Sequence, residues 1–380
     1  MLKLYIFLCI SVCASAVPKF FTNNLAKPCD REACKLPDCL CAATSPPNGL
    51  QPTNIPQFVL LTFDDALGIQ NSHYYIDAFN GRNNPNKCPI STTYFISHEY
   101  TNYSTVNEFV SKGHEIASHS ISHTANTDYW NNLSVNELNL EFVDHIKLIS
   151  KFANIPESSI KGARVPFLQI PGDNYYQMIE DSTFVYDCSW PTQVYMNSGL
   201  FPYTLDYASI QDCPIGKCPL NSHPGVWVIP MVDWMDLSGT PCAMVDACQN
   251  VPTDTQQILN FMKTNFHRHY DSSRSPFGFY VHASWFSIKE RFDAYKLFLD
   301  YLGEFDDVYM VSASMVIDWM KNPVSKEEYL TNAKCSSGNA GPCRVSKTCY
   351  LKKGEEERVM PVCTDVCPNV YPWVGNPLGN

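Results

Sequence analysis

Two adjacent carboxylates, Asp64 and Asp65, follow the apolar segment Leu61-Thr62-Phe63. This pattern predicts a strand that ends in two acids, and in barrel folds catalytic groups lie where a strand ends. Two carboxylates at one site cannot both stay ionised cheaply unless a cation or hydrogen bonds separate their roles. One acid could therefore bind a metal while its neighbour acts as a base. An Asp-Asp turn that caps a helix is an equally good interpretation of this motif alone.

Two histidines, His119 and His123, follow a second predicted strand with i, i+4 spacing. On a helical turn they would share one face and could bind one cation through their imidazole nitrogens. The carboxylate of Asp65 would complete a set of two histidines and one carboxylate, which leaves coordination positions open for water and substrate. Taken alone, this spacing is also typical of two ordinary polar histidines that bind no metal.

Three more candidates, Arg164, Asp233 and His282, each come at or just after the end of a predicted strand. An arginine can hold a carboxylate in a bidentate orientation, and an aspartate can orient a histidine ring. A histidine has a near-neutral pKa and is a natural proton donor. Taken singly, a surface ion pair for the arginine, a buried Trp234 beside the aspartate and a core histidine are the simpler interpretations.

The elements that must position these groups are short apolar runs that alternate with helical stretches. Runs that are apolar on successive residues indicate strands buried on both faces, and capping boxes predict helices that start at Thr105, Ser134 and Ser287. This alternation predicts a parallel α/β architecture, and eight strands favour a barrel over an open sheet. The predicted strands are Phe58–Phe63, Thr92–Ile96, Glu115–Ala117, Gly162–Arg164, Phe184–Tyr186, Val226–Ile229, Gly278–His282 and Val308–Val311.

The 380 residues are 45% hydrophobic, an ordinary globular composition, and carry 27 Lys and Arg against 38 Asp and Glu. A net charge of −11 argues against binding to nucleic acid or to an anionic membrane, because both need clustered cations. Residues 1–16 have the charged start, apolar run and small-residue site of a signal peptide. No later run is long enough to predict a membrane span, so we expect a secreted, extracellular protein. We also expect a monomer.

Seventeen cysteines support an oxidising compartment. They predict a Cys-rich arm over residues 17–55 and a Cys-rich tail over 323–380, on either side of a barrel over 56–322. Loss of Cys9 and Cys13 with the leader leaves an odd number, so one thiol stays unpaired. We expect the four cysteines of the arm to pair among themselves, Cys213 with Cys218, Cys242 with Cys248, and the tail to reach back to Cys88, which leaves Cys188 alone. The odd or even number of cysteines in each segment does not by itself determine which of them pair. The sequons at Asn102 and Asn132 suit a secreted glycoprotein.

Together, in this order and spacing, the motifs resemble those of the polysaccharide deacetylases of carbohydrate esterase family 4. The resemblance covers residues from about 57 to 320. It implies a distorted (β/α) barrel of seven to eight parallel strands. The Cys-rich flanks are similar, more narrowly, to those of arthropod chitin deacetylases. The matching motifs are TFDD at Thr62–Asp65, HSxSH at His119–His123, RxP at Arg164–Pro166, DW at Asp233-Trp234 and the histidine at His282.

The resemblance also implies roles for these residues. Asp65, His119 and His123 would bind one divalent metal, which we expect to be zinc. Asp64, held by Arg164, would act as the base, and His282, tuned by Asp233, would protonate the leaving amine. The backbone N–H of Phe167 would stabilise the oxyanion. We also expect Phe167, Trp234, Tyr280 and Trp285 to contact the substrate, chitin or chitin oligosaccharides.

The chain also departs from the family pattern. Phe167 stands where many members have Tyr, the first Asp of the usual DxxDW motif is replaced by Pro230, and Tyr280 replaces a Leu associated with the pocket for the acetyl methyl group. A narrowed pocket leaves a second hypothesis open, in which the protein binds chitin or organises a matrix with weak or no turnover. A third hypothesis keeps the enzyme but changes the polymer to another acetylated glycan.

Overall fold

The computed structural model describes residues 25–344 and 346–380, so the predicted leader, residues 1–16, lies outside the described residues. The strands are β1 (Gln57–Asp64), β2 (Thr93–Ile96), β3 (Glu115–Ser118), β4 (Gly162–Ala163), β5 (Tyr186–Asp187), β6 (Pro191–Thr192), β7 (Tyr203–Leu205), β8 (His223–Val228), β9 (Met231–Val232), β10 (Trp234–Met235), β11 (Pro241–Cys242), β12 (Phe277–His282), β13 (Val308–Met310), β14 (Lys347–Lys353) and β15 (Glu356–Val362). The helices are α1 (Ile69–Phe79), α2 (Tyr103–Ser111), α3 (Thr127–Asn131), α4 (Val135–Leu138), α5 (Asp144–Ala153), α6 (Asp173–Glu180), α7 (Thr255–Tyr270), α8 (Lys289–Leu302), α9 (Ala313–Lys321) and α10 (Lys326–Asn332).

The main sheet confirms the predicted distorted barrel. Its strand order is β12-β1-β2-β3-β4-β5-β8-β7, with β13 paired to the start of β1. The strands pair in parallel except for β7, which runs antiparallel to β8 at one edge. All eight predicted strands are present. Among the described residues β12 and β8 form no ladder with each other, so the sheet curls without closing completely.

The parallel register brings the candidate residues to one edge of this sheet. Asp64, the last residue of β1, lies opposite His282 of β12 and Phe95 of β2. Ser118, which precedes His119, lies opposite Ala163, which precedes Arg164. Because parallel strands end at the same edge, residues far apart in the chain meet there without long loops.

β1 is buried on both faces, as its unbroken apolar run predicted. Val59, Leu61 and Phe63 face the layer of outer helices, whereas Phe58 and Leu60 face the inside of the barrel. Side chains alternate along a strand, so Asp64 continues the row of Phe58 and Leu60 and lies inside the barrel mouth. Asp64 is only 3% exposed, so its carboxylate is largely shielded from water.

Only one of the three predicted helix starts is confirmed. Ser134 caps α4 with the expected capping box. Asn102, not Thr105, caps α2, because its side chain accepts from the backbone N–H groups of Ser104 and Thr105. α8 begins at Lys289 after Ile288, and Ser287 instead donates its hydroxyl to Ser284.

Seven disulfides staple the two flanks and the loops, a density typical of extracellular proteins. Every expected pairing is confirmed, and Cys188 is the free cysteine among the described residues. None of the described helices is both long enough and apolar enough to cross a membrane. The bridges are Cys29–Cys41, Cys34–Cys39, Cys88–Cys335, Cys213–Cys218, Cys242–Cys248, Cys343–Cys363 and Cys349–Cys367.

Gly162 allows the ring of Tyr186 to lie across β4. A Cβ at position 162 would stand 2.1 Å from Cζ of Tyr186, whose side chain is fully buried. We therefore expect Gly162→Ala to overpack the barrel and to lower the free energy of unfolding by about 1–3 kcal/mol. Thermal unfolding measures this loss. Gly303→Ala is the control, because its Cβ would meet nothing closer than 3.3 Å and its φ is −70°. Equal melting temperatures for the two variants would contradict the packing argument.

Candidate metal centre and active site

Asp65, His119 and His123 converge at the barrel mouth. One ligand atom from each lies within 4.8 Å of the other two. Oδ1 of Asp65 is 3.2 Å from Nε2 of His123. Nδ1 of His119 is 2.8 Å from the carbonyl oxygen of Arg164, and this contact leaves Nε2 of His119 free to face the other two ligands.

The donor set fits a divalent metal. Burial lowers the pKa of His119 to about 4, so its ring is neutral, which is the form that binds a metal. Two imidazoles and one carboxylate leave further coordination positions for water and substrate. Cys29, Cys34 and Cys41 also lie close together, but their sulfurs are used in disulfides.

The segment between the two histidines is a loop, so the predicted helical turn is wrong. Ser120 and His123 have positive φ angles of 74° and 43°. A buried carboxylate, Glu141, holds the loop by accepting hydrogen bonds from the N–H groups of Ile121 and Ser122 and from the hydroxyl of Ser122, at 2.6–3.2 Å. These bonds satisfy the backbone in place of a helix.

Glu141 was not found from the sequence. It lies on a π-helical turn, Asn139–Val143, between α4 and α5. Such turns are frequent at functional sites, because they redirect one side chain out of a regular helix. No local motif marks this glutamate, since its partners lie about 20 residues earlier in the chain.

Asp64 is paired with Arg164 inside the barrel. Their side chains are 2% and 0% exposed, and Nη1 of Arg164 donates to Oδ1 of Asp64 at 2.6 Å. Burial by itself would raise the pKa of Asp64, but the positive charges of Arg164 and His282 and the hydrogen bond from Arg164 outweigh it and hold the pKa below its usual value. Asp64 is therefore ionised at neutral pH.

Arg164 is itself held by β1, by the residue after β5 and by two aromatic rings. It donates to Thr62 and Asp64 of β1, and to the carbonyl oxygen and Sγ of Cys188, which directly follows β5. Its guanidinium lies 3.9 Å from the ring centroid of Phe95 and 5.2 Å from that of Tyr280. The sequence predicted that Arg164 holds a carboxylate, and the structure contains this pair. The pair is buried and does not lie on the surface.

His282 is bonded to Asp246 and not to Asp233. Oδ2 of Asp246 is 2.7 Å from Nδ1 of His282. Burial disfavours the charged ring, but the Asp246 hydrogen bond and the charge of Asp64 outweigh it and raise the pKa of His282 to about 9. The expected tuning by Asp233 is therefore wrong. Burial and the charge of Asp212 raise the pKa of Asp233 to about 7.

Asp246 lies inside the loop closed by Cys242 and Cys248. The loop follows the β10–β11 hairpin, in which Trp234 pairs with Cys242, so the two aspartates lie on neighbouring segments but only Asp246 bonds to the ring of His282. The available signal was the close cysteine pair itself, because a six-residue disulfide loop fixes the residue that it encloses.

Two predicted stacking residues are in the core. The indole of Trp234 is 2% exposed, packs against Phe261 and Phe277 and donates to the carbonyl oxygen of Gly278, so the expectation that it contacts a sugar is wrong. Trp285 is 5% exposed and packs against Phe279. Buried indoles of this kind cannot offer a flat face to a polymer.

Tyr280 is also buried, and Phe167 is exposed. The Tyr280 ring is 1% exposed and packs on Arg164, so it supports that side chain from inside the barrel. Phe167 is 44% exposed, has a φ of 57°, and its ring centroid lies 5.3 Å from that of His123. Phe167 is thus the one predicted substrate contact that the structure places on the surface beside the histidines.

The two sequons differ in their surroundings. Asn102 is half-buried and uses its side-chain oxygen to cap α2. Asn132 is exposed, and its side-chain nitrogen donates to the carbonyl oxygen of Asp128. Asn132 is the more accessible of the two predicted glycosylation sites.

The comparisons with known proteins agree with this geometry. Residues 51–178 match the family profile described as polysaccharide deacetylase. The chain is 46% identical to chitin deacetylase 8 of Bombyx mori, over 93% of this chain and 94% of that one. It is 38% identical to chitin deacetylase 1 of Bombyx mori, over 94% of this chain and 69% of that one. A solved structure from Pseudomonas aeruginosa PAO1, titled a probable polysaccharide deacetylase, shares the fold with a TM-score of 0.50 at 13% identity, covering 73% of this chain and 96% of that one.

The hydrogen bond between Asp246 and His282 generates a prediction for the metal-free protein. Asp246→Asn keeps the side-chain shape and removes the negative charge that stabilises the imidazolium. We expect the pKa of His282 to fall from about 9 towards its usual value. An NMR titration of the histidine ring signals measures the shift. Asp233→Asn is the matched control and should leave that titration close to the parent's. A larger shift in the control than in Asp246→Asn would contradict the assignment.

Proposed function

This chain belongs to the polysaccharide deacetylase family, and we propose that it hydrolyses the N-acetyl groups of N-acetylglucosamine units in chitin. The products are acetate and a polymer with free amines. The observation that carries this proposal is the meeting of an ionised carboxylate, a protonated histidine and an Asp-His-His donor set at one barrel mouth. The substrate is inferred from the two chitin deacetylases of Bombyx mori that the chain resembles over nearly its whole length.

We assign the metal to Asp65, His119 and His123, and we propose zinc as the ion. When bound, such an ion would polarise the acetamide carbonyl and lower the pKa of a water molecule. The loop held by Glu141 keeps His123 in place, and the Arg164 carbonyl fixes the ring of His119. The protein thus presents the ligands already oriented.

The chain's own residues carry the protons. Asp64 accepts a proton from the attacking water, because Arg164 keeps its carboxylate ionised and oriented. His282 donates a proton to the leaving nitrogen, because a pKa of about 9 keeps the ring protonated at neutral pH. Amide cleavage without this proton would expel a poor leaving group. The backbone N–H of Phe167 is our candidate for an additional donor to the oxyanion.

The proposed setting is extracellular, in a chitinous matrix or a gut lumen. The predicted signal peptide, the sequons and the seven disulfides support secretion. The net charge of −11 suits a neutral polymer and its cationic product. We propose that the protein acts as a monomer.

Acetate release from N-acetylglucosamine oligomers tests the function. We expect the purified mature chain with zinc to release acetate, to lose this activity after chelation and to regain it when zinc is restored. Acetylated xylan and peptidoglycan are tested in parallel, and higher turnover of either would reassign the polymer. Oligomer binding with no acetate release from a folded, zinc-loaded sample would contradict the enzyme and favour the matrix-binding hypothesis.

The proton-transfer roles are tested with His282→Gln and Asp64→Asn. Each should lower kcat at least about a hundredfold, because each removes one proton-transfer group. Asp64→Asn leaves the fully buried Arg164 without its partner and should also lower stability, so its melting temperature is measured alongside. His282→Gln lacks this complication because the His282 side chain is 35% exposed. Asp318→Asn, an exposed site on α9, is the control, and parental activity in His282→Gln would remove His282 from the mechanism.

A further inference from the structure

Tyr100, in the loop between β2 and α2, combines exposure with backbone strain. Its side chain is 72% exposed, and its φ is 70°. A positive φ is a genuine outlier for a bulky residue. Such conformations persist only where the surrounding structure enforces them, and they cluster at functional sites. Asp65, His123 and Phe167 of the candidate site have positive φ angles as well.

Tyr100 lies next to the loop that carries Asp65. The N–H of Asn102 donates to the carbonyl oxygen of Leu67 at 2.8 Å, and the N–H of Leu67 donates to the hydroxyl of Thr101 at 3.2 Å. A Cβ on Gly68 would stand 3.0 Å from the carbonyl oxygen of Tyr100, so a glycine permits this close approach. Gly68 is three residues after Asp65, which limits their separation to about 11 Å.

The C-terminal tail fixes this loop from the other side. Glu99, which precedes Tyr100, accepts a hydrogen bond from Nε of Arg358 at 2.6 Å and contacts Nζ of Lys353 at 3.3 Å. Both cations belong to the β14–β15 hairpin. His98 is buried, its Nε2 is 3.0 Å from the carbonyl oxygen of Pro372, and its ring centroid is 4.6 Å from that of Tyr371.

We propose that Tyr100 is a sugar-binding residue, which stacks on a pyranose of the substrate chain beyond the unit that reacts. The tail acts as the scaffold that holds its ring in place. This inference rests on the proposed function and deepens it, because it gives the protein a preference for longer chains. A flat, rigid, exposed ring is suited to the apolar face of a sugar, since it loses little conformational entropy on binding. The hydrogen bonds of Thr101 and Asn102 with Leu67, and the contact of Glu99 with Arg358, hold the backbone of Tyr100 in its strained conformation.

The test compares two substrates, an N-acetylglucosamine dimer and a hexamer, in the full-length, zinc-loaded protein. We expect Tyr100→Ala to lower kcat/KM for the hexamer about tenfold relative to the dimer, mainly through KM. Tyr100→Phe keeps the ring and should restore the parental ratio. The melting temperatures should match, because the side chain is largely exposed. Tyr350→Ala is the control, because Tyr350 is 81% exposed on the outer face of the hairpin.

The role of the tail is tested with Arg358→Gln, which removes the charged contacts to Glu99 and to the ring of Tyr100, whose centroid lies 5.9 Å from the guanidinium. We expect it to lower the hexamer-to-dimer ratio in the same direction as Tyr100→Ala, and an unchanged ratio would overturn the scaffold role. A parental ratio in Tyr100→Ala would overturn the sugar contact while the deacetylase function stands. If the parent protein releases no acetate from either oligomer, the proposed function itself has failed.

Discussion

The buried ion pair between Arg164 and Asp64 is the interaction on which the rest of the site depends. Two charges this deep are costly to desolvate, so the pair is tolerable only because the remaining donors of the guanidinium are also used. Those donors reach Thr62 and Cys188, and the pair therefore joins β1, β4 and β5 at their carboxyl ends. The same interaction sets the charge of Asp64 and the position of the strand from which Asp65 emerges. The ion pair that joins the strands is therefore also the interaction that keeps Asp64 ionised.

The loops around this pair are strained, and polar groups compensate for the strain. The loop between His119 and His123 is held by Glu141, and the loop after β2 is held by Arg358. The loop between the histidines also buries Ile121 in the core. The carboxylates add direction to such packing, because charge-assisted hydrogen bonds are stronger and more directional than contacts between neutral groups. The barrel gives each functional residue its approximate position, and these carboxylates give it its orientation.

Apolar runs were the most informative signal in the sequence, because all eight predicted strands are present. Cysteine spacing identified the bridges Cys213–Cys218 and Cys242–Cys248 and the unpaired Cys188, but it left the partners within the arm and the tail open. Two of the three capping boxes were misleading, and the main errors at the site concern groups whose surroundings depend on the fold. Asp246 replaces Asp233 beside His282, because the loop closed by Cys242 and Cys248 places its carboxylate 2.7 Å from the ring. Trp234 lies next to a motif residue along the chain, but successive side chains of an extended segment point in opposite directions and its ring enters the core.

The disulfides divide by loop length into two physical roles. Cys34–Cys39, Cys213–Cys218 and Cys242–Cys248 close loops of five or six residues, which restrict the unfolded chain less than the longer loops do. Their main effect is therefore on local geometry, as the position of Asp246 illustrates. Cys88–Cys335 spans 247 residues, so it restricts the unfolded chain far more and fixes the start of the tail to the barrel. The tail then reaches the active-site side through the β14–β15 hairpin and Arg358. The tail, which the sequence already predicts to reach back to Cys88, is in this way connected to the loops that surround the candidate metal ligands.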